Sequence, residues 1–264
     1  MKMLVSMGRG GVGKSSFIAL ATKHLIEINE SPLLLVDLDP DQSLGEMVGV
    51  SIEEVRSISE LLYETFLEEG GTTVGVPPSE RIEGKIWEKG LYEGEYFDFM
   101  TIGTKYLPGC YCLPDAALKG ALERISKSYK FVLVDSPAGL EQLNRRITPK
   151  VNDIFDILDP SKKSYEHLKR SLKVMEGVGI EFEHFYLIGG YEFSDDLGRK
   201  FEESLRSYIK EELNEFKEIE PRYLGKIEYD EELRRFVLEG RSLLELPPTS
   251  PAYISVKRIM MSCT

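Results

Sequence analysis

Positive charge is outnumbered in this chain. Its 33 lysines and arginines face 45 aspartates and glutamates, for a formal net charge of −12. Such a surface repels phosphate backbones and anionic lipid, so nucleic acid and membrane are poor default partners. Basic residues gather only in pairs, among them Arg145-Arg146, Lys162-Lys163, Lys169-Arg170 and Arg234-Arg235, as on a solvated helix face. No apolar run approaches the roughly 20 residues of a membrane span. The N-terminal run Met3–Met7 is too short for a signal sequence and leads straight into glycines. A cytoplasmic location is therefore expected. The three histidines, His24, His167 and His184, have no ligand spacing to one another and read as core or surface residues. The three cysteines, Cys110, Cys112 and Cys263, are an odd number, which argues against a disulfide framework and toward metal or redox use.

What is present is an alternation. Short apolar runs lie at Met3–Met7, Leu33–Asp37, Phe97–Ile102, Phe131–Asp135, Ile154–Leu158 and Phe185–Ile188, with a weaker one at Tyr223–Ile227. Runs of this length suit parallel strands covered on both faces. Helical spacing separates them: Ile18, Ala21, Leu25 and Ile28; Leu118, Leu122 and Ile125; then the stretches Ser161–Glu176 and Ser194–Phe216. The pattern predicts an α/β fold with a doubly wound, mostly parallel sheet. The chain's 264 residues are read as a single domain. The stretch Glu68–Gly94, rich in Gly, Glu and Pro, is expected to be an insertion carrying a short helix near Glu83–Leu91.

The strongest motif is Gly8-Arg9-Gly10-Gly11-Val12-Gly13-Lys14-Ser15, which fits G-x-x-x-x-G-K-[ST] between a strand and a helix. Glycines let successive N–H groups curl round an anion, and the helix that follows adds its positive end. Lys14 is expected at the β- and γ-phosphates and the Ser15 hydroxyl on Mg²⁺, with Ser16 completing the phosphate-binding set. A chance match in a chain of this glycine content is on the order of one in a hundred. Two further strand ends carry acids: Asp37 and Asp39 in Leu35-Val36-Asp37-Leu38-Asp39-Pro40, and Asp135 in Val132-Leu133-Val134-Asp135-Ser136. Ligands of open α/β sheets collect at such ends. An aspartate there can hold Mg²⁺ through water, and a second one two residues on can orient the attacking water. Taken singly, each also reads as a strand-end cap.

The glycine loop resembles the deviant Walker A of the MinD/ParA family, which includes nitrogenase iron protein, and Arg9 stands where the family has lysine. The resemblance implies a P-loop NTPase that closes as a homodimer over ATP and Mg²⁺. It places Arg9 across the dimer on the partner's phosphates, Asp37 and Asp135 in the Mg²⁺ shell, and Asp39 on the hydrolytic water. Arg9 keeps the charge, but its fork is not an ammonium. The segments Leu224–Asp230, Glu239–Leu243 and Ser250-Pro251-Ala252 extend the likeness toward the C-terminus. Relatives carry an adenine-reading Asn followed by Lys or Arg after the sixth strand, whereas this chain has Ile188-Gly189-Gly190-Tyr191. No Asn-Lys-x-Asp guanine motif occurs, so ATP is kept by resemblance.

In an extended segment, residues i and i+2 point the same way, so Cys110 and Cys112 can offer two sulfurs to one ligand. A helix predicted to start near Asp115 favours the thiolate form. Two thiolates do not fill a four-coordinate site, but a second pair from a two-fold mate does. A redox dithiol fits less well, because its usual motif has two intervening residues. Cys263 reads as incidental. Pro108-Gly109-Cys110-Tyr111-Cys112, with Ile86–Leu91, Phe97–Met100 and Ala138–Arg146, is similar to the CooC group of nickel-insertion accessory ATPases. That likeness implies carbon monoxide dehydrogenase as client and nickel as cargo. Four thiolates suit Zn²⁺ equally well by geometry. Two other functions stay open: a MinD- or ParA-type positioning ATPase, and an iron-protein-like electron donor holding an Fe–S cluster.

Overall fold

The computed structural model describes residues 1–65, 78–104, 112–138 and 150–263. Among the described residues, an eight-stranded sheet forms the centre. The strands are β1 (Lys2–Gly8), β2 (Leu33–Asp37), β3 (Tyr92–Glu93), β4 (Asp98–Thr101), β5 (Phe131–Asp135), β6 (Lys150–Leu158), β7 (Glu181–Gly189) and β8 (Arg222–Lys226). They lie in the order β3-β4-β2-β5-β1-β6-β7-β8. All pairings are parallel except that of the short edge strand β3 with β4. β2 and β5 keep the bounds that their apolar runs predict. β6 and β7 begin four residues earlier than predicted.

Both faces of the sheet are covered. The helices are α1 (Lys14–Glu27), α2 (Ser43–Met47), α3 (Ile58–Tyr63), α4 (Pro78–Lys89), α5 (Cys112–Ile125), α6 (Lys162–Val178), α7 (Asp195–Glu212), α8 (Glu231–Leu238) and α9 (Pro251–Met261). One core joins Met3, Val5 and Val36 of the sheet to Ile86 of α4, Leu122 of α5, Leu172 of α6 and Leu205 of α7. The other joins Leu4, Leu35, Leu133 and Phe155 to Phe17 of α1, Phe236 of α8 and Val256 of α9. The division follows from the two-residue period of a strand. It puts Asp37 and Asp135 on the same face as Leu35 and Leu133, toward α1. It puts Asp156 on the face of Ile154 and Leu158, toward α6. The fold is the expected α/β type with a mostly parallel sheet.

Local signals set the helix ends. Ser161 caps α6 by accepting from the Ser164 N–H, and Gly179 in the left-handed region ends it. Ser250 caps α9 ahead of Pro251 at its first position. The cap of α8 is more extensive. Asp230 accepts from the N–H groups of Glu232 (2.9 Å) and Leu233 (3.2 Å), from the Ser250 hydroxyl, and from the Ala252 N–H (3.3 Å). One carboxylate thus ties the starts of α8 and α9 together. The helix expected near Glu83–Leu91 runs instead over Pro78–Lys89, with Ile86 fully buried and Gly90 packed on Leu61. The first ten residues of the expected insertion, 68–77, lie outside the described residues.

Candidate nucleotide site

β1 delivers the chain into the glycine loop, and α1 leaves it. Gly8 has φ +132°, and a Cβ there would sit 2.4 Å from the Ile157 carbonyl oxygen of the neighbouring strand. Gly13, at φ +98°, turns the chain into α1 from the left-handed region. Both positions need glycine for conformation, and Gly8 also needs it for space. α1 has no side-chain cap and no acidic residue in its first turn. Its leading N–H groups are therefore not spent on a side-chain acceptor, which suits them to an anion. Lys14 is 7% exposed, and its ammonium donates to the Arg9 carbonyl at 3.1 Å, folded back over the loop.

The strand-end acids converge beside this loop. Asp37 and Asp135 are register partners on adjacent strands β2 and β5. Asp135 accepts from the Ser6 hydroxyl at 2.8 Å and from the Ser15 hydroxyl at 2.5 Å. Asp37 accepts the N–H groups of Asp39 (2.9 Å) and Leu44 (3.0 Å). Asp39, half-buried, accepts from the Asp41 N–H at 3.1 Å. Burial, and then the Asp135 carboxylate, push Asp37 up to about 8 against those two donors. Burial also raises Asp135, against the pull of Ser15, Ser6 and Lys14. Two buried carboxyls that resist ionising together, with a serine hydroxyl between them and the glycine loop, suit a hard divalent cation.

Arg9 donates to Asp159 at 2.9 Å and to the Ser161 hydroxyl at 3.3 Å. In the single chain its guanidinium is thus held by its own strand end. Asp159 escaped the sequence reading, although it ends an apolar run just as Asp37 and Asp135 do. Asp156 escaped it too. It is fully buried, with no hydrogen-bond partner for either oxygen. Burial pushes its carboxyl up to about 7 against the Lys14 charge. Next to the loop, a cavity of about 690 Å³ is lined by Gly10–Gly13 and Ser16, the end of β6, Gly190-Tyr191 after β7, and Ile227–Asp230 with α8.

The structure thus brings together Gly8, Arg9, Gly10, Gly11, Val12, Gly13, Lys14, Ser15, Ser16, Asp37, Asp39 and Asp135. Of the cysteine pair, Cys110 lies outside the described residues. Cys112 is the first residue of α5, three residues before the predicted helix start. Cys263 packs partly buried against the α1-side core, with its thiol on the Ile259 carbonyl.

No family model matches the chain. It is 32% identical over 253 residues to an uncharacterized ATP-binding protein of Methanocaldococcus jannaschii, covering 96% of this chain and 94% of that one. It is 26% identical over 192 residues to the carbon monoxide dehydrogenase accessory protein CooC of Rhodospirillum rubrum, covering 69% of this chain and 71% of that one. Among solved structures, the MinD cell division protein of Aquifex aeolicus superposes with a TM-score of 0.66 at 17% identity, covering 99% of this chain and 96% of that one. With a nucleotide-type loop, paired strand-end acids and a relative of this identity over nearly its whole length, the chain belongs to the same family of ATP-binding proteins as the Methanocaldococcus jannaschii protein, and it has the fold of the MinD/ParA ATPases.

Proposed function

We propose that the chain is an ATP-dependent metallochaperone whose nucleotide-driven dimer closure assembles a shared thiolate site for nickel or zinc. Its client would be carbon monoxide dehydrogenase. The nucleotide half rests on one observation above all: an uncapped first turn of α1 facing the buried, mutually repelling Asp37 and Asp135. Loop N–H groups from Gly8 to Ser16, with Lys14, hold the triphosphate. Ser15, Asp37 and Asp135 are the residues to hold Mg²⁺, which when bound screens the phosphate charge. Asp39 orients the water that attacks the γ-phosphate.

Arg9 leaves Asp159 and meets the phosphates of the second copy. Their ion pair is partly solvated, with side chains 38% and 29% exposed, so its loss costs only about 0–1 kcal/mol. Closure then brings two Cys110/Cys112 pairs together. Hydrolysis removes the γ-phosphate contacts and releases the ion, making the dimer a two-state element coupled to metal affinity. The metal half is supported by the Cys-x-Cys spacing and by the likeness to a carbon monoxide dehydrogenase accessory protein. The same reading places the chain in the cytoplasm as one domain with an insertion around 68–94. Among the described residues no helix is long and apolar enough to cross a membrane. α9 buries Tyr253, Val256 and Ile259 in its own core, which gives no support to a lipid-docking role.

The test is sizing with metal analysis of wild type and of Cys110→Ser/Cys112→Ser, with and without nucleotide. One ion per wild-type dimer, lost in the double variant while dimerisation persists, is expected. A metal-free wild type that still dimerises with ATP removes the chaperone role and leaves the ATPase.

A further inference from the structure

Two tyrosines stand at the mouth of the cavity beside the glycine loop. Tyr191 follows β7 and Tyr229 follows β8. Their ring centroids are 5.6 Å apart and their planes 58° apart. Both rings are more than half exposed, at 56% and 52%. The backbone around them is nonetheless fixed: the Gly190 N–H donates to the Leu158 carbonyl and the Ile227 N–H to the Gly189 carbonyl, each at 2.8 Å. The Tyr229 hydroxyl donates to the Glu231 carboxylate, which holds its ring in place. Two aromatic faces are thus presented to solvent on rigid strand ends, next to a phosphate-type loop.

The polar side chains of the same cavity are largely spent. Asp159 holds the Ser161 N–H at 2.8 Å and, in the single chain, Arg9 as well, while Glu228 pairs with Lys226 at 3.0 Å and Arg234 with Glu231 at 3.4 Å. Asp230 is consumed by its four capping bonds. Gly190 contributes only backbone, and a Cβ there would lie 3.3 Å from the Leu158 carbonyl oxygen. Apart from the exposed Glu192 carboxylate, which can only accept, what the cavity's side chains offer a flat heterocycle is surface rather than a hydrogen-bonding edge.

We infer that Tyr191 and Tyr229 seat the nucleotide base by aromatic contact, one ring offering its face and the other its edge, so that the site takes purine triphosphates with little preference between adenine and guanine. This rests on the reading that the glycine loop binds a nucleoside triphosphate. Stacking tolerates different bases because every base has a π-face, and edge-to-face packing suits rings tilted as these are. A base read by a dedicated side chain would instead be discriminated strongly, because the wrong edge leaves buried polar groups unpaired.

The experiment is calorimetric titration of the full chain with Mg²⁺-ATP, Mg²⁺-GTP and Mg²⁺-tripolyphosphate. The proteins are wild type, Tyr191→Ala, Tyr229→Ala and the two Phe variants. ATP and GTP are expected to bind within about tenfold of each other, and each alanine variant to weaken both by about tenfold or more. The Phe variants restore nucleotide binding, and tripolyphosphate binds all five proteins alike. A preference for ATP beyond about a hundredfold, as a side-chain reader would give, overturns the inference. So do alanine variants that keep wild-type nucleotide affinity. Failure of all three ligands to bind wild type overturns the phosphate-loop reading itself, and this inference with it.

Discussion

Asp156 gives the sharpest physical test of the structure. It sits in β6 on the α6 side of the sheet, fully buried, and neither carboxylate oxygen has a hydrogen-bond partner. Burial raises its carboxyl from 3.8 to about 7, opposed only by the Lys14 charge. In the folded chain the group therefore keeps its proton from pH 4 to about 7, while in the unfolded chain it has lost it. The unfolded state binds fewer protons over that window, so stability falls as pH rises through it and levels off above the folded value. At 1.36 kcal/mol per unit, and allowing for half-titration near 7, the loss between pH 5 and pH 7 is about 2 kcal/mol. Asp156→Asn removes the titration and keeps the shape. Urea unfolding of both proteins at pH 5 and 7, followed by circular dichroism, isolates the effect, because the raised carboxyls of Asp37 and Asp135 are common to both and cancel. The variant's stability relative to wild type should rise by about 2 kcal/mol across that range. Parallel pH dependence of the two proteins would refute the placement of Asp156 as a buried, unpartnered acid.

Asp230→Ala removes four acceptor contacts shared by α8 and α9 and should cost about 2–4 kcal/mol, read as a lowered urea midpoint. Burial pushes the Asp230 carboxyl up, but Ser250 and three backbone N–H groups hold it below its ordinary value. Its contribution is thus present at neutral pH and lost as pH falls through the depressed value. Asp39→Ala should leave ATP binding within a few-fold of wild type yet slow hydrolysis about 10²- to 10⁴-fold; comparable losses in both would contradict a role confined to the water. Arg9→Ala should abolish the ATP-dependent dimer in sedimentation. Asp159→Ala, by freeing Arg9 in both copies, should tighten that dimer by no more than about thirtyfold, the worth of two partly solvated ion pairs.

Much of the fold was legible because its signals are local. β2 and β5 are runs buried on both faces, and the acids that end them stop the runs where the strands stop. β6 and β7 were read too short because their first halves are polar. Asp153 is buried there only because Lys2 and His184 reach it from other elements, each at 2.8 Å, and such pairing is invisible along the chain. β3 exists only through its two-residue pairing with β4. At the site, the glycine loop and the acids at Asp37 and Asp135 follow from spacing. Asp159 satisfies the same strand-end rule and was overlooked for want of a motif around it. Asp156 occupies an alternation position where an apolar residue is expected, so its burial had to be seen. Tyr191 and Tyr229 are 38 positions apart, and only the adjacency of β7 and β8 brings their rings together.

The most direct test of the central claim is metal affinity with nucleotide as the variable. Ni²⁺ and Zn²⁺ titrations of the full chain should be compared without nucleotide and with a saturating non-hydrolysable ATP analogue. If closure assembles the paired Cys110/Cys112 sites, the analogue tightens metal binding, and metal tightens analogue binding by the same factor. Equal metal affinity in both conditions would contradict the account.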